Sequence, residues 1–124
     1  MASLVGRKIV RDVFLAFVRV HVLHHAAEER IFGVEMMEEL KRHGYDIGPG
    51  TLYPLLHSLE ESGVLVSAQE VVGGKVRKYY RTTRSGDALL TELRAKIGEL
   101  VEEVLGPRPR GKPRKPSSPV SRPT

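Results

Sequence analysis

The chain contains no cysteine and no tryptophan, and only three phenylalanines and four tyrosines among 124 residues. Without cysteine there is no disulfide framework, no thiolate cage for a metal and no cysteine nucleophile, which fits a reducing intracellular compartment. Long apolar runs are missing as well. Arg7, Lys8, Arg11 and Arg19 interrupt the first hydrophobic stretch too closely for a signal-peptide core, and no run approaches the ~20 residues a bilayer span needs. The expectation is a soluble, cytoplasmic protein with no membrane partner. There is no nucleophile elbow, no phosphate-cradling glycine loop and no complete metal motif, and Ser58, Ser62 and Ser67 have no evident base to activate them. This reads as a protein that is not an enzyme.

What is present is an uneven distribution of charge. Twenty Lys and Arg stand against fifteen Asp and Glu, a net charge of +5. Residues 106–124 hold six of the eight prolines and six basic residues with no acid, which leaves residues 1–105 close to neutral. The tail has almost nothing apolar to bury, so the composition predicts a disordered basic Pro-rich segment, either solubilising or attracted to polyanions through Arg108, Arg110, Lys112, Arg114 and Lys115. Residues 1–105 have the length of one domain with one core. A body this small gains from oligomerisation.

Hydrophobic periodicity predicts a first helix over about Lys8–Ala27, whose apolar residues spread beyond one face. A second helix, about Gly33–His43, places Val34, Met37 and Leu40 on one side and stops at Gly44. Pro49 opens a third, with Leu52, Leu55, Leu56 and Leu59 as its stripe and Gly63 as its stop; Pro54 predicts an irregular first turn or a slight kink. Leu65–Val72 and Lys75–Thr82 favour extended structure around Gly73-Gly74, a hairpin whose register sets Glu70 opposite Arg77. A last helix, about Arg84–Leu105 with Thr83 or Ser85 as cap, spaces Leu90, Leu93, Ile97, Leu100 and Val104 in a heptad-like seam.

Two helices joined by a tight turn and followed by a basic hairpin make a winged helix-turn-helix, mainly α with a small β-hairpin. At 100° per residue the leucine stripe of the third helix leaves Gly50, Pro54, His57 and Glu61 opposite, with Thr51, Tyr53 and Ser58 on the shoulders. That face is small and uncharged near its N-terminus, where free amides and the helix dipole favour a phosphate. It carries no Arg, Asn or Gln, the usual bidentate base readers, so DNA shape or the wing would supply the discrimination.

The runs GPGTLYPLLHSLEESGVL and VVGGKVRKYYRTTRSG resemble the PadR family of bacterial and archaeal transcriptional regulators, and the likeness extends over nearly everything but the tail. The short single C-terminal helix is similar to that of the smaller PadR subfamily, whose members form homodimers through their first and last helices. The resemblance implies a homodimeric repressor of a pseudo-palindromic operator in double-stranded DNA, released by a small molecule, a metal or a stress signal. It assigns Gly50, Thr51, Tyr53 and His57 to the recognition helix and Lys75, Arg77 and Lys78 to the wing as DNA contacts. The dimer seam would comprise Phe14, Phe17, Val18, His21, Leu90, Leu93, Ile97, Leu100 and Val104, forming N- and C-terminal dimerisation helices. This chain has Phe32-Gly33-Val34 where the family has His-Gly-Tyr, and Gly48 where a serine commonly caps the recognition helix. It also lacks the tryptophans between which some members hold flat aromatic drugs.

Two other readings follow from the residues. A winged-helix body can serve as a protein-interaction module, docking a partner through its first and last helices. The spacing of His21, His24 and His25 sets a pair of imidazoles on one helical face, as a metal-responsive sensor requires, with His43, Glu28 or a dimer partner completing a divalent-metal site. Otherwise His21 packs in the dimer interface and His24 and His25 fray at the helix end.

Overall fold

The computed structural model describes residues 3–107, so the expectation for the tail from Arg108 onward lies outside the described residues. Seven elements follow in order: α1 (Leu4–Glu28), β1 (Ile31–Phe32), α2 (Gly33–Arg42), α3 (Pro49–Glu61), β2 (Leu65–Val72), β3 (Lys75–Thr82) and α4 (Arg84–Leu105). The Ser3 hydroxyl caps α1 by accepting the Gly6 N–H at 3.1 Å. Only the C-terminal half of this 25-residue helix is buried, through Val18, Val22, Leu23 and Ala26. Leu4, Val5, Ile9, Val10, Val13 and Phe17 of the N-terminal half remain exposed.

α2 buries Gly33, Met36 and Leu40, with Met37 half-buried against the core; of the expected stripe only Val34, 51% exposed, turns outward. Gly33, at the first position of α2, abuts the Tyr53 ring. Gly44 ends the helix with φ of +89°, and the Tyr45 amide bonds back to the Leu40 carbonyl at 2.9 Å. In α3 all four leucines of the stripe are buried, and burying each contributes about 1.5–3 kcal/mol. The helix is continuous through Pro54, and its first turn closes in the usual way, with the Thr51 and Leu52 amides both donating to the Gly48 carbonyl, at 3.1 and 3.0 Å.

The hairpin has the expected register, with Val72 opposite Lys75 and Glu70 opposite Arg77, and both glycines of its turn have positive φ. A third strand joins it. β1 pairs antiparallel with β3, Ile31 with Tyr80 and Phe32 with Tyr79, giving the order β1-β3-β2. This strand carries no sequence signal of its own, because two residues are too few to show a period. At the start of α4 the Thr83 hydroxyl accepts the Gly86 N–H at 3.0 Å and donates to the Gly63 carbonyl at 2.6 Å. Gly86 backs directly onto the Val64 carbonyl, where a side chain would collide, so α4 is fixed to the end of the helix-turn-helix.

Candidate nucleic-acid interface

The leucine stripe fixes which side of α3 faces outward. Gly50, Tyr53, Pro54, His57 and Ser58 are exposed and Thr51 is half-buried. Because Pro49 has no N–H and the next two amides after Gly50 are turned to Gly48, Gly50 is the residue of the first turn left to offer an amide to a phosphate. Gly48 itself makes no side-chain cap, as its residue type dictates. Tyr53 lies with its ring across Gly33 and remains 41% exposed. Its phenol is therefore positioned by α2 while still reaching solvent. His57 faces Glu61 one turn on, at 3.5 Å, so its imidazole has a carboxylate partner on the same exposed surface.

The wing divides its cations between two sides of the sheet. Residue alternation along β3 puts Lys75, Arg77, Tyr79 and Arg81 on one face and Lys78 with buried Tyr80 on the other. The Arg77 guanidinium lies 4.4 Å from the Phe32 ring centroid, and Arg30 stacks on Tyr79 at 4.1 Å. Glu70, although opposite Arg77 in the ladder, pairs with Arg30. Lys78 points toward Glu60 of α3 at 3.9 Å, and that carboxylate also accepts from the Ser67 amide and hydroxyl. Lys75 is the wing cation at the turn, exposed and furthest from the core.

A family model for the PadR-like transcriptional regulators matches residues 22–92, from the buried half of α1 through the hairpin into α4. The chain belongs to the PadR-like family of transcriptional regulators. A transcriptional regulator of Mycobacterium tuberculosis, Rv3488, is 53% identical over 97 residues, spanning 78% of this chain and 91% of that one. Among solved structures, a PadR family regulator from Eggerthella lenta is 36% identical with a TM-score of 0.61, covering 82% of this chain and 90% of that one. The PadR-like transcription factor from Bacteroides fragilis is 28% identical with a TM-score of 0.69, covering 79% and 96%. The PadR-like chain is thus a winged-helix DNA-binding regulator rather than an enzyme, and no helix among its described residues is long and apolar enough to cross a membrane.

Within this PadR-like regulator the seam residues expected from sequence fall into two groups. Val18 and Leu90 are sealed in the chain's own core, at 0% and 2% exposure, and so are not part of an exposed seam. Periodicity placed them correctly on apolar faces but could not say which neighbour covers each face. Phe14, His21 and Leu93 are half-buried, whereas Phe17, Ile97, Leu100 and Val104 are exposed. Between α1 and α4 lies a cleft of about 330 Å³ whose walls include Phe17, Val20, Leu90, Ile97 and Leu100, with His24 and Arg94 at its polar side. The His24 Nδ1 is 3.3 Å from Arg94.

His24 and His25 lie within α1, which continues to Glu28. His21 and His25 converge with His43, which follows α2, and one ring nitrogen from each lies within 4.8 Å of the others. His24 turns away toward Arg94 and Glu28. Of the candidates named from sequence, His21, His25 and His43 converge in the structure and His24 does not join them. Spacing within one helix supplies only the α1 pair; His43, one of several third ligands the sequence allows, is brought to that pair by the packing of α2 on α1. Burial, reinforced by the neighbouring imidazoles, holds His21 below the usual histidine pKa. Burial does the same to His25, against the opposing pull of Glu39.

Proposed function

We propose that this PadR-like regulator is a homodimeric cytoplasmic repressor that sets two copies of α3 into successive major grooves of a pseudo-palindromic operator. The observation that carries this reading is the apolar surface left uncovered on α1 and α4. Ile9, Val10, Val13 and Phe17 on one helix and Ile97, Leu100 and Val104 on the other are exposed, and the cleft between the helices joins the two rows. A soluble monomer rarely keeps so much contiguous apolar surface, and a two-fold pairing of this face covers it on both subunits at once. To enter successive major grooves, the paired recognition helices must stand about one helical turn of DNA apart, roughly 34 Å.

DNA contact is assigned to Gly50, Thr51, Tyr53 and His57 of α3 and to Lys75 and Arg77 of the wing, with Lys78 tied to Glu60 until DNA competes for it. Phosphate contacts supply most of the affinity. Release by an effector is supported by the α1–α4 cleft, since a ligand entering it alters the face that sets the spacing of the two recognition helices.

The test is light-scattering mass together with fluorescence anisotropy on the duplex immediately upstream of the coding region, at two salt concentrations, with random duplex as competitor. A dimeric mass and competitor-resistant binding are expected. A stable monomer whose binding any duplex erases equally would replace this reading with docking of a different protein on α1 and α4.

A further inference from the structure

We propose that His21, His25 and His43, with Glu39, form a binding site for a zinc-type divalent transition ion. Two of the imidazoles come from α1 and the third from the residue that follows α2, and one ring nitrogen of each already lies within 4.8 Å of the others. A tetrahedral ion with bonds of 2.0–2.1 Å needs neighbouring donors roughly 3.4 Å apart, a closure within reach of small side-chain rotations. Glu39 supplies the fourth donor. Its Oε2 is 3.5 Å from His25 Nε2 and 3.9 Å from His43 Nε2, while its other oxygen is held by Arg42 at 2.8 Å. That division leaves one carboxylate oxygen facing the imidazoles and the other anchored, the arrangement in which an outer hydrogen bond orients a ligand.

An independent observation marks the same spot. His25 Nε2 is buried and has no hydrogen-bond partner, although buried ring nitrogens are ordinarily satisfied. A ligated ion satisfies it. With no sulfur available and three nitrogens and one oxygen converging, the donor set suits zinc, nickel or copper rather than magnesium or calcium. Burial lowers the pKa of His21 and His25, which favours the neutral imidazole that binds metal. His43 directly follows α2, and only residues 44–48 separate it from α3. An ion held there ties α1 to the turn that carries the recognition helix.

Isothermal titration of the full chain, freed of any affinity tag and stripped with EDTA, with zinc chloride tests the site without reference to DNA. One ion per chain with Kd of about 1 µM or tighter is expected. His43→Gln, an exposed change that leaves the core intact, weakens binding at least about tenfold, as does His25→Gln. His24→Gln binds as the unaltered chain does. Zinc also raises the melting temperature of the unaltered chain and not that of His43→Gln. No heat of binding up to about 100 µM zinc, or equal affinity in His43→Gln, overturns the proposal.

Discussion

Tyr53 and Gly33 illustrate how a single contact places a group on the outer side of α3. The tyrosine ring occupies the space where any Cβ at position 33 would stand, so α2 presents its backbone as the floor under the phenol. Gly33→Ala is expected to displace the ring and lower stability by about 1–3 kcal/mol, the range for overpacking. In a Tyr53→Ala background the same change has no ring to displace, and helix propensity makes it neutral or stabilising by up to about 1 kcal/mol. Thermal denaturation of the four proteins in this cycle measures the coupling; additive effects would show that the ring does not rest on Gly33. A second residue-scale expectation concerns Leu56, which is fully buried on α3. Leu56→Ala is expected to cost about 2–5 kcal/mol in urea unfolding, while His57→Ala beside it leaves stability within about 0.5 kcal/mol and acts on DNA affinity instead.

At the scale of elements, the wing and the first helix carry separable roles. Lys75 is exposed at the turn, whereas Arg77 is stacked on Phe32 and so fixed on the sheet before DNA arrives. Lys75→Ala and Arg77→Ala should each weaken binding to all sequences and reduce the salt slope by about 0.9 per lost phosphate contact. Arg77→Ala should also lower stability, having removed a cation from an aromatic face, and Lys75→Ala should not. An unchanged slope in both variants removes the wing from the interface. On α1, Ile9 and Val13 are exposed one turn apart. If the chain pairs as proposed, changing both to Glu should give a monomer by light scattering that still unfolds cooperatively, at a lower melting temperature because the linkage to dimerisation is lost. Loss of folding in that variant would mean that α1 needs its partner to form.

The whole molecule should respond to pH through its histidine cluster. His21 and His25 are held neutral by burial, in surroundings that include His24, His43, Glu28, Glu39 and Tyr45, with Arg42 and Arg94 at the edges. Their pKa values in the fold lie below 6.5, the value for an unperturbed histidine. Below about pH 6.5 the unfolded chain therefore takes up protons that the folded one refuses. Their contribution to stability is complete above that pH and is lost as pH falls through the lowered values. Melting temperatures in EDTA should fall on acidification from about pH 7.5 to 5.5, and His21→Gln with His25→Gln should flatten the curve. A slope that survives both substitutions assigns the acid sensitivity to other groups.

Much of this architecture follows from local chemistry that the chain states residue by residue. The leucine stripe from Leu52 to Leu59, the Gly73-Gly74 turn with its register and the Thr83 cap each depend on neighbours within a few positions, where periodicity and turn preference act directly. Motifs of the same local kind marked the recognition helix and wing of a PadR-like regulator. What only the tertiary structure decided involves groups distant in sequence. Packing chose Met36 over Val34 for the core, enclosed Val18 and Leu90 while leaving Phe17 and Ile97 exposed, and gave Glu70 to Arg30 instead of Arg77. It also carried His43 to His21 and His25. An apolar or ligating side chain declares what it needs, but its partner is fixed only when separate elements meet in a core that has room for one arrangement.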